Sequence, residues 1–366
     1  MNSLATKARW LGAAVAAAVL LVAGAGTAGA RTADGGEGPV RGVPQTVALH
    51  GGGQSVAVSP DGRTAYVSTS SRGRGSGLDV VDTRSGAVTA SLLLSGGFNA
   101  ASAEVAVSPD GSQVYVLYGV GHGSPVSLLG VVDTATNTLV ASVAPPAQTT
   151  PAGYLAGNLS KLAVSADGGR VYMTQFGPTS PQRPTEEGTR VLQFDTGQQA
   201  FTGAVTVPGH FTGSVVARPA GDDVYVATDE GLTHLDTGGA TPVVESTDST
   251  VGGAFAALVL SPDDTRLFGV NGAGRGFTVD VATDAVTASY DITPHRWLRS
   301  LAVKADGTRL YALGQDYAIV AVDTATNTVV PAEGVPGLSY ATALVLGPDG
   351  HTFYVVAGAE LRIIGV

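Results

Sequence analysis

Short hydrophobic segments recur along the chain and are separated by turn residues. The clearest copy begins with Ser55-Val56-Ala57-Val58, turns at Ser59-Pro60-Asp61-Gly62 and continues with Thr64-Ala65-Tyr66-Val67-Ser68. Residues 78–83 and 87–92 form its third and fourth segments. Segments of four to eight residues rich in Val, Leu, Thr and Tyr, bounded by Gly, Pro, Asp or Ser, are typical of β-strands. The unit therefore predicts four short strands joined by tight turns.

This four-part unit occurs seven times, and its first turn marks each copy. Pro presets the second turn position, Asp accepts backbone hydrogen bonds, and Gly takes the left-handed conformation. Asp61 and Asp349 are separated by 288 residues over six intervals, a mean of 48, which is close to the period of β-propeller blades. We expect an all-β, seven-bladed β-propeller, with first turns at residues 59–62, 108–111, 165–168, 218–221, 261–264, 304–307 and 347–350.

The last copy lacks a fourth strand. Its three segments are residues 344–346, 353–356 and 361–364, and the sequence ends at Val366. Residues 46–49, Thr-Val-Ala-Leu, precede the first complete copy and have the length and composition of the absent strand. A ring closed by this N-terminal strand would leave no open blade edge. We therefore predict one propeller domain over residues 45–366.

Two of the copies contain Asp-Thr-Ala-Thr-Asn-Thr, beginning at Asp133 and at Asp323. Together with the Ser-Pro-Asp-Gly turns and the Tyr-Val strands, these segments resemble the YVTN-type repeats of YncE-like β-propellers. The eponymous tetrapeptide is never intact; Tyr66-Val67-Ser68-Thr69 is one of its variants. The resemblance implies the propeller fold over nearly the whole chain after the leader. Similar propellers include secreted binding proteins, lactonases and cofactor-binding parts of dehydrogenases, so the resemblance leaves the function open.

The N-terminus has the pattern of an export signal. Lys7 and Arg9 precede an apolar run over residues 11–23, and Ala28-Gly29-Ala30 offers small residues for cleavage. We predict a signal peptide over residues 1–30 and a flexible leader over 31–44. An uncleaved anchor is the alternative, but the run is shorter than the roughly 20 residues of a membrane span. The expected location is therefore extracellular or associated with the cell wall, with no membrane span after cleavage.

Charge and cysteine content exclude several classes of function. The formal net charge is −10, and removal of the signal leaves 18 basic and 30 acidic residues, a net charge of −12. No basic stripe with aromatic residues is present, so nucleic acid is not an expected partner. The chain has no Cys, which rules out disulfides, thiolate metal sites and a cysteine nucleophile. We expect a monomer without a cofactor.

Loops that join consecutive blades are predicted to gather on one face of the ring. Converging imidazoles can bind a metal or transfer protons, but the three loop histidines belong to blades one, four and six, and no carboxylate follows a ligand spacing. We therefore predict no metal site. Glu104 and Lys161 are interpreted as a polar lining or as solvated mouth residues. The sequence places six such residues in these loops, and all but His210 are candidate ligand-binding residues: His50, Asn99, Asn158, His210, His295 and Tyr340.

The densest cluster of functional side chains is His295-Arg296-Trp297-Leu298-Arg299. Arg forks and a Trp face suit an anionic or sugar-like ligand or a protein partner. The alternative is that Trp297 packs between blades while Arg296 and Arg299 pair with neighbouring carboxylates. Long loops at 71–77, 119–127, 145–160 and 177–188 predict an asymmetric surface over blades one to three.

Two functions from different classes follow. The first is a secreted scaffold whose loop face binds a protein, peptide or cell-envelope ligand, with His295, Arg296, Trp297 and Arg299 as contacts. The second is a lactonase-like hydrolase or lyase of a small cyclic ester. In that case His210, His295 and Arg299 would be the acid, the base and the oxyanion stabiliser.

Overall fold

The computed structural model shows an all-β ring of seven blades. It describes residues 44–71, 75–95, 104–120, 126–146, 159–175, 179–180, 183–184, 189–209, 212–219, 221–251, 257–292, 298, 300–314, 316–331 and 338–365. The 3₁₀ turn Ser249–Val251 is the one helical segment in these ranges, which therefore contain no helix able to cross a membrane. The predicted signal and, apart from Pro44, the predicted leader lie outside the described residues.

Each blade is a four-stranded antiparallel sheet, numbered here in chain order. Blade one contains β2 (Gly52–Val58), β3 (Thr64–Ser71), β4 (Gly75–Asp82) and β5 (Ala87–Ser95). Blade two contains β6 (Val105–Val107), β7 (Gln113–Val120), β8 (Val126–Asp133) and β9 (Thr138–Val143). Blade three contains β10 (Leu159–Val164), β11 (Arg170–Gln175), β14 (Thr189–Asp195) and β15 (Ala200–Val207). A small hairpin of β12 (Thr179–Ser180) and β13 (Arg183–Pro184) lies within the third blade's long loop, where the sequence predicted no strand.

The remaining four blades repeat the arrangement. They contain β16 (Thr212–Ala217), β17 (Asp223–Thr228), β18 (Leu232–Asp236) and β19 (Val243–Asp248); β20 (Ala257–Leu260), β21 (Arg266–Val270), β22 (Arg275–Asp280) and β23 (Ala285–Asp291); β24 (Ser300–Val303), β25 (Arg309–Leu313), β26 (Ile319–Asp323) and β27 (Thr328–Val330); and β28 (Ala341–Leu346), β29 (Thr352–Ala357), β30 (Glu360–Gly365) and β1 (Gln45–Ala48). First strands of successive blades contact one another around the whole ring, from β2 through β28 and back to β2. They therefore surround the axis.

Closure by the N-terminal strand is confirmed. Strand β1 pairs antiparallel with β30, with Gln45 opposite Ile363 and Ala48 opposite Glu360. The strand begins one residue earlier than the sequence predicted, and the Leu49 N–H extends the pairing with a 2.9 Å bond to the Ala359 carbonyl. Val47 is buried in the core between blades seven and one. The first and last segments of the domain thus complete one sheet.

The hydrophobic core is divided among the seams between blades. Each of seven buried clusters combines side chains from two neighbouring blades, as Tyr66 and Leu78 of blade one do with Val114 and Val116 of blade two. Burial of apolar side chains contributes about 1.5–3 kcal/mol each. Because each blade shares its core with both neighbours, its stability depends on closure of the ring.

The recurrent aspartates hold the turns between first and second strands. In blade two, Asp110 accepts a 2.6 Å hydrogen bond from the Ser108 hydroxyl and a 3.0 Å bond from the Ser112 N–H. These bonds, led by the one from Ser108, lower the pKa of Asp110 to about 2. Gly111 follows at φ 73°, a conformation that glycine adopts at little cost. The Ser-Pro-Asp-Gly pattern is therefore structural.

Candidate functional site

The strand order gives the ring two different faces. The mouth face carries the loops between blades and the loops between second and third strands; the turn face carries the other two turns of every blade. Of the predicted site residues, His50 and Tyr340 are described, and both lie on the mouth face. Asn99, Asn158, His210, His295, Arg296, Trp297 and Arg299 lie outside the described residues, as do most of the long loops. The lactonase-type acid, base and oxyanion stabiliser are therefore predictions only.

Glu104 and Lys161 meet at the axial end of the mouth face. Lys161 Nζ lies 3.0 Å from Glu104 Oε2, and both side chains are about one-third exposed, 32% and 29%. The Ser55 hydroxyl lies 3.4 Å from Glu104 Oε1. The predicted polar lining thus joins blades one, two and three around the axis.

His50 lies in the loop that follows the closing strand and is held by a buried carboxylate. Its backbone N–H donates to Asp79 Oδ2 at 2.8 Å, and its Nδ1 lies 3.2 Å from Asp79 Oδ1. The Ser91 hydroxyl also donates to Asp79 Oδ1, at 2.6 Å. Asp79 is fully buried, whereas the imidazole is 57% exposed. This contact fastens the closing segment to blade one and orients the exposed face of His50.

Replacing Asp79 by Ala should lower the free energy of unfolding by about 2 kcal/mol, because the His50 N–H and the Ser91 hydroxyl lose a buried acceptor. Urea melts of the two proteins measure the difference. Ser91→Ala removes one of the same donors and should cost less than half as much. Equal stability of Asp79→Ala and the original chain would show that the contact does not stabilise the attachment of the closing segment to blade one.

Tyr340 and Tyr317 form an aromatic pair across blades six and seven. Their ring centroids lie 5.7 Å apart at an angle of 48°. Tyr340 is 70% exposed, while Tyr317 packs partly against the core of this seam. The Gly358 N–H donates to the Tyr340 carbonyl at 3.1 Å, and the Tyr317 N–H donates to the Gly314 carbonyl at 3.0 Å. The exposed ring is thus held on a fixed backbone.

Both tyrosines have left-handed backbones, with φ of 64° for Tyr317 and 63° for Tyr340. The other described non-glycine residues with positive φ are Asn137, Gln199, Asp264, Asp284 and Asn327, which occupy turn positions filled elsewhere by glycines such as Gly62 and Gly86. A bulky residue in this conformation costs about 1–2 kcal/mol. Such strain is concentrated at functional sites.

The turn face has an ionic seam between blades four and five. Asp284 of blade five accepts hydrogen bonds from Tyr225 at 2.8 Å, His234 Nδ1 at 2.7 Å and Ser246 at 2.9 Å. Burial raises the pKa of Tyr225, and the bond to Asp284 raises it further. Arg218 Nη2 lies 3.0 Å from Asp264 Oδ2 in the same seam. One carboxylate therefore binds three strands of the neighbouring blade.

A cavity of about 240 Å³ lies on the turn face between blades three and four, lined by Asp167, Tyr172, Arg218 and Asp222. In the preceding seams, turn glycines pack on prolines, as Gly111 does on Pro60 and Gly168 on Pro109. Ala166 occupies the proline position in blade three. The smaller side chain accounts for the space.

The sequence predicted that His50 and Tyr340 lie in mouth-face loops, but it did not indicate their partners Asp79 and Tyr317. Asp79 follows no motif, and Tyr317 follows a second strand rather than an interblade segment. The ionic seam had a detectable signal: the third strands of blades one to four and six end in Asp-Thr, whereas blade five has Asp280-Val281. Within the described ranges, no three His, Asp or Glu side chains are arranged to hold a metal ion.

No protein-family model and no curated protein matches the chain. Among solved structures, a chain of the "Crystal Structure of Mitotic Checkpoint Complex" is similar to it, with a TM-score of 0.65 and 15% identity. The similarity covers 93% of this chain and 98% of that chain. At this identity it supports the fold alone: the protein is a seven-bladed β-propeller.

Proposed function

We propose that this protein is a secreted propeller that binds a protein or peptide partner on its mouth face. The observation that carries the proposal is the pair Tyr317 and Tyr340, because Tyr340 keeps a strained backbone while burying little of its ring. Packing of the Tyr340 ring within the protein does not offset the backbone strain, whereas burial of the ring against a partner would. Tyr is enriched among residues that dominate binding energy at protein interfaces.

Export and the partner's class rest on supporting features. The basic start, apolar run and small residues of positions 1–30 support secretion, and propellers often serve as scaffolds that present loops on rigid strands. We expect the protein recovered from culture medium to begin at Arg31, which N-terminal sequencing would test. A chain that begins at Met1 and stays in the membrane fraction would contradict the secretion proposal.

Replacing Tyr340 by Gly should separate stability from binding. Glycine relieves the left-handed strain, so the free energy of unfolding should rise by about 1 kcal/mol. Loss of the ring should weaken partner binding by at least about tenfold, since hot-spot truncations cost about 2 kcal/mol or more. If Tyr340 served only to pack within the protein, Tyr340→Gly would instead lower the free energy of unfolding.

The binding measurement is quantitative affinity capture from culture supernatant and cell-envelope extract, using immobilised wild-type protein, Tyr340→Gly and Val140→Thr. Val140 is an exposed apolar residue, 52% accessible, on the outer strand of blade two. Its variant therefore controls for non-specific hydrophobic binding. The proposal requires a polypeptide retained by the wild type and Val140→Thr but lost by Tyr340→Gly. Equal retention by all three, or none by the wild type, would overturn it.

A further inference from the structure

The sevenfold repeat allows the same axial position to be compared in every blade. This position lies four residues before each turn that joins first and second strands. Five blades have a small side chain there, and only two adjacent blades have a charged one. From blade one to blade seven the residues are Ser55, Glu104, Lys161, Ser214, Ala257, Ser300 and Ala343.

The two charged side chains lie on backbone that is fixed by hydrogen bonds. The Lys161 N–H donates to the Thr174 hydroxyl at 3.1 Å, and the Glu104 carbonyl accepts the Leu117 N–H at 2.9 Å. The charged groups themselves lie 3.0 Å apart and are about one-third exposed. A ligand entering the mouth therefore meets one positive and one negative group in a preorganised arrangement.

The charge arrangement selects among ligands. A simple anion attracted to Lys161 is repelled by Glu104, and a simple cation attracted to Glu104 is repelled by Lys161. Capturing either member of the pair alone would leave the other partly desolvated and unpaired. A ligand with an adjacent ammonium and carboxylate avoids both costs, because four alternating charges give every ion an opposite neighbour.

We propose that Glu104 and Lys161 form an axial subsite for a zwitterionic group, that of a free α-amino acid. The ligand ammonium donates to Glu104, and its carboxylate accepts from Lys161 in a charge-assisted hydrogen bond. The subsite is distinct from the tyrosine pair, which belongs to blades six and seven. It therefore stands whether or not the tyrosines bind a protein.

The lysine content makes this subsite directly observable. The chain has three lysines, Lys7, Lys161 and Lys304, so selective ¹³C labelling gives few side-chain signals. Lys304 is a matched internal control because it pairs with Asp306, also at 3.0 Å and 31% exposed, but in a turn-face loop. We expect glycine to shift the Lys161 Cε signal saturably and to leave Lys304 unchanged.

Probe chemistry and variants complete the experiment. At equal ionic strength, N-acetylglycine and methylamine each present one charge and should bind at least about tenfold more weakly than glycine. Glu104→Gln should abolish the glycine response, whereas Ser214→Ala, at the equivalent position of blade four, should retain it. Tyr340→Gly should also retain it, which separates this site from the proposed function.

Three results would overturn the proposal: no saturable glycine shift at Lys161, equal shifts of Lys161 and Lys304, or equal responses to glycine and N-acetylglycine. Any of these results would show that the Glu104–Lys161 ion pair serves only to connect blades two and three. The wild-type comparison of probes needs no substitution, so it decides the question even if Glu104→Gln does not fold.

Discussion

Ending the chain at Arg362 should leave a protein that is unfolded or readily cleaved by protease at 25 °C. The truncation removes Ile363 and Ile364, which are 1% and 2% exposed and belong to the cores on either side of blade seven. Loss of a large buried aliphatic side chain costs about 2–5 kcal/mol. Two such losses approach the whole stability of a typical domain, about 5–15 kcal/mol.

The truncation also removes the partner of Gln45 in the closing pair, so the N-terminal strand loses part of its hold on the ring. Thermal melting and limited proteolysis of the truncated and full chains measure the effect. A chain ending at Gly365 lacks only Val366 and should behave like the full protein. If the chain ending at Arg362 melts at the full-length temperature, ring closure contributes little and the seam cores are independent.

The fold was predictable because a repeated unit constrains its own interpretation. One Ser-Pro-Asp-Gly segment predicts only a turn, but this turn and its variants occur seven times, about 48 residues apart, and together they predict a ring of blades. The missing fourth strand of the last copy also has one plausible source, the segment ending at Leu49. In the structure this strand begins and ends one residue earlier than predicted, because strand ends depend on local backbone pairing, which composition does not encode.

The site was less predictable because its contacts join residues with no common motif. His50 could be placed in a loop from the sequence, but its partner Asp79 is a strand residue 29 positions away. Tyr317 and Tyr340 belong to different blades, and their left-handed backbones depend on the loops around them. Glu104 and Lys161 were predictable as a polar lining because the repeat aligns them at one axial position.

The two faces differ in the role of their polar residues. On the turn face, aspartates repeat in register and accept local hydrogen bonds, which lower the pKa of Asp306 to about 2, led by the bond from Thr308. Among the described residues of the mouth face, the Glu104–Lys161 pair joins blades two and three and the Tyr317–Tyr340 pair joins blades six and seven, without equivalents in the other blades. Repeated polar residues therefore support the fold, and the Glu104–Lys161 and Tyr317–Tyr340 pairs, which break the repeat on the mouth face, are the candidates for binding.

Replacing Asp284 by Gly should lower the free energy of unfolding by about 3 kcal/mol at neutral pH. The carboxylate accepts hydrogen bonds from Tyr225, His234 and Ser246, and removal of one member of a partly buried charged network costs about 3–5 kcal/mol, reduced here by its partial exposure. Glycine adopts the observed φ of 56° without strain. The loss would therefore report side-chain contacts rather than backbone conformation.

Asn137→Gly is the matched control for Asp284→Gly. Asn137 occupies the equivalent turn position in blade two at φ 52°, and its side-chain oxygen has no hydrogen-bond partner among the described residues. Its substitution should change the free energy of unfolding by no more than about 0.5 kcal/mol. A loss in Asn137→Gly equal to that in Asp284→Gly would assign the effect to the turn and not to the seam.

The pH dependence of the Asp284 effect has a definite sign. Burial alone would raise the pKa of Asp284, but the bonds from His234, Tyr225 and Ser246 outweigh it and lower the pKa. An aspartate with a lowered pKa in the folded state stabilises the protein fully above its unfolded value, about 3.9, and loses that contribution as pH falls through the folded value. The stability difference between the original chain and Asp284→Gly should therefore stay large near neutral pH and shrink below about pH 4. Urea melts of both proteins at several pH values measure this difference, and a gap that widened in acid would show that the charge of Asp284 opposes the seam.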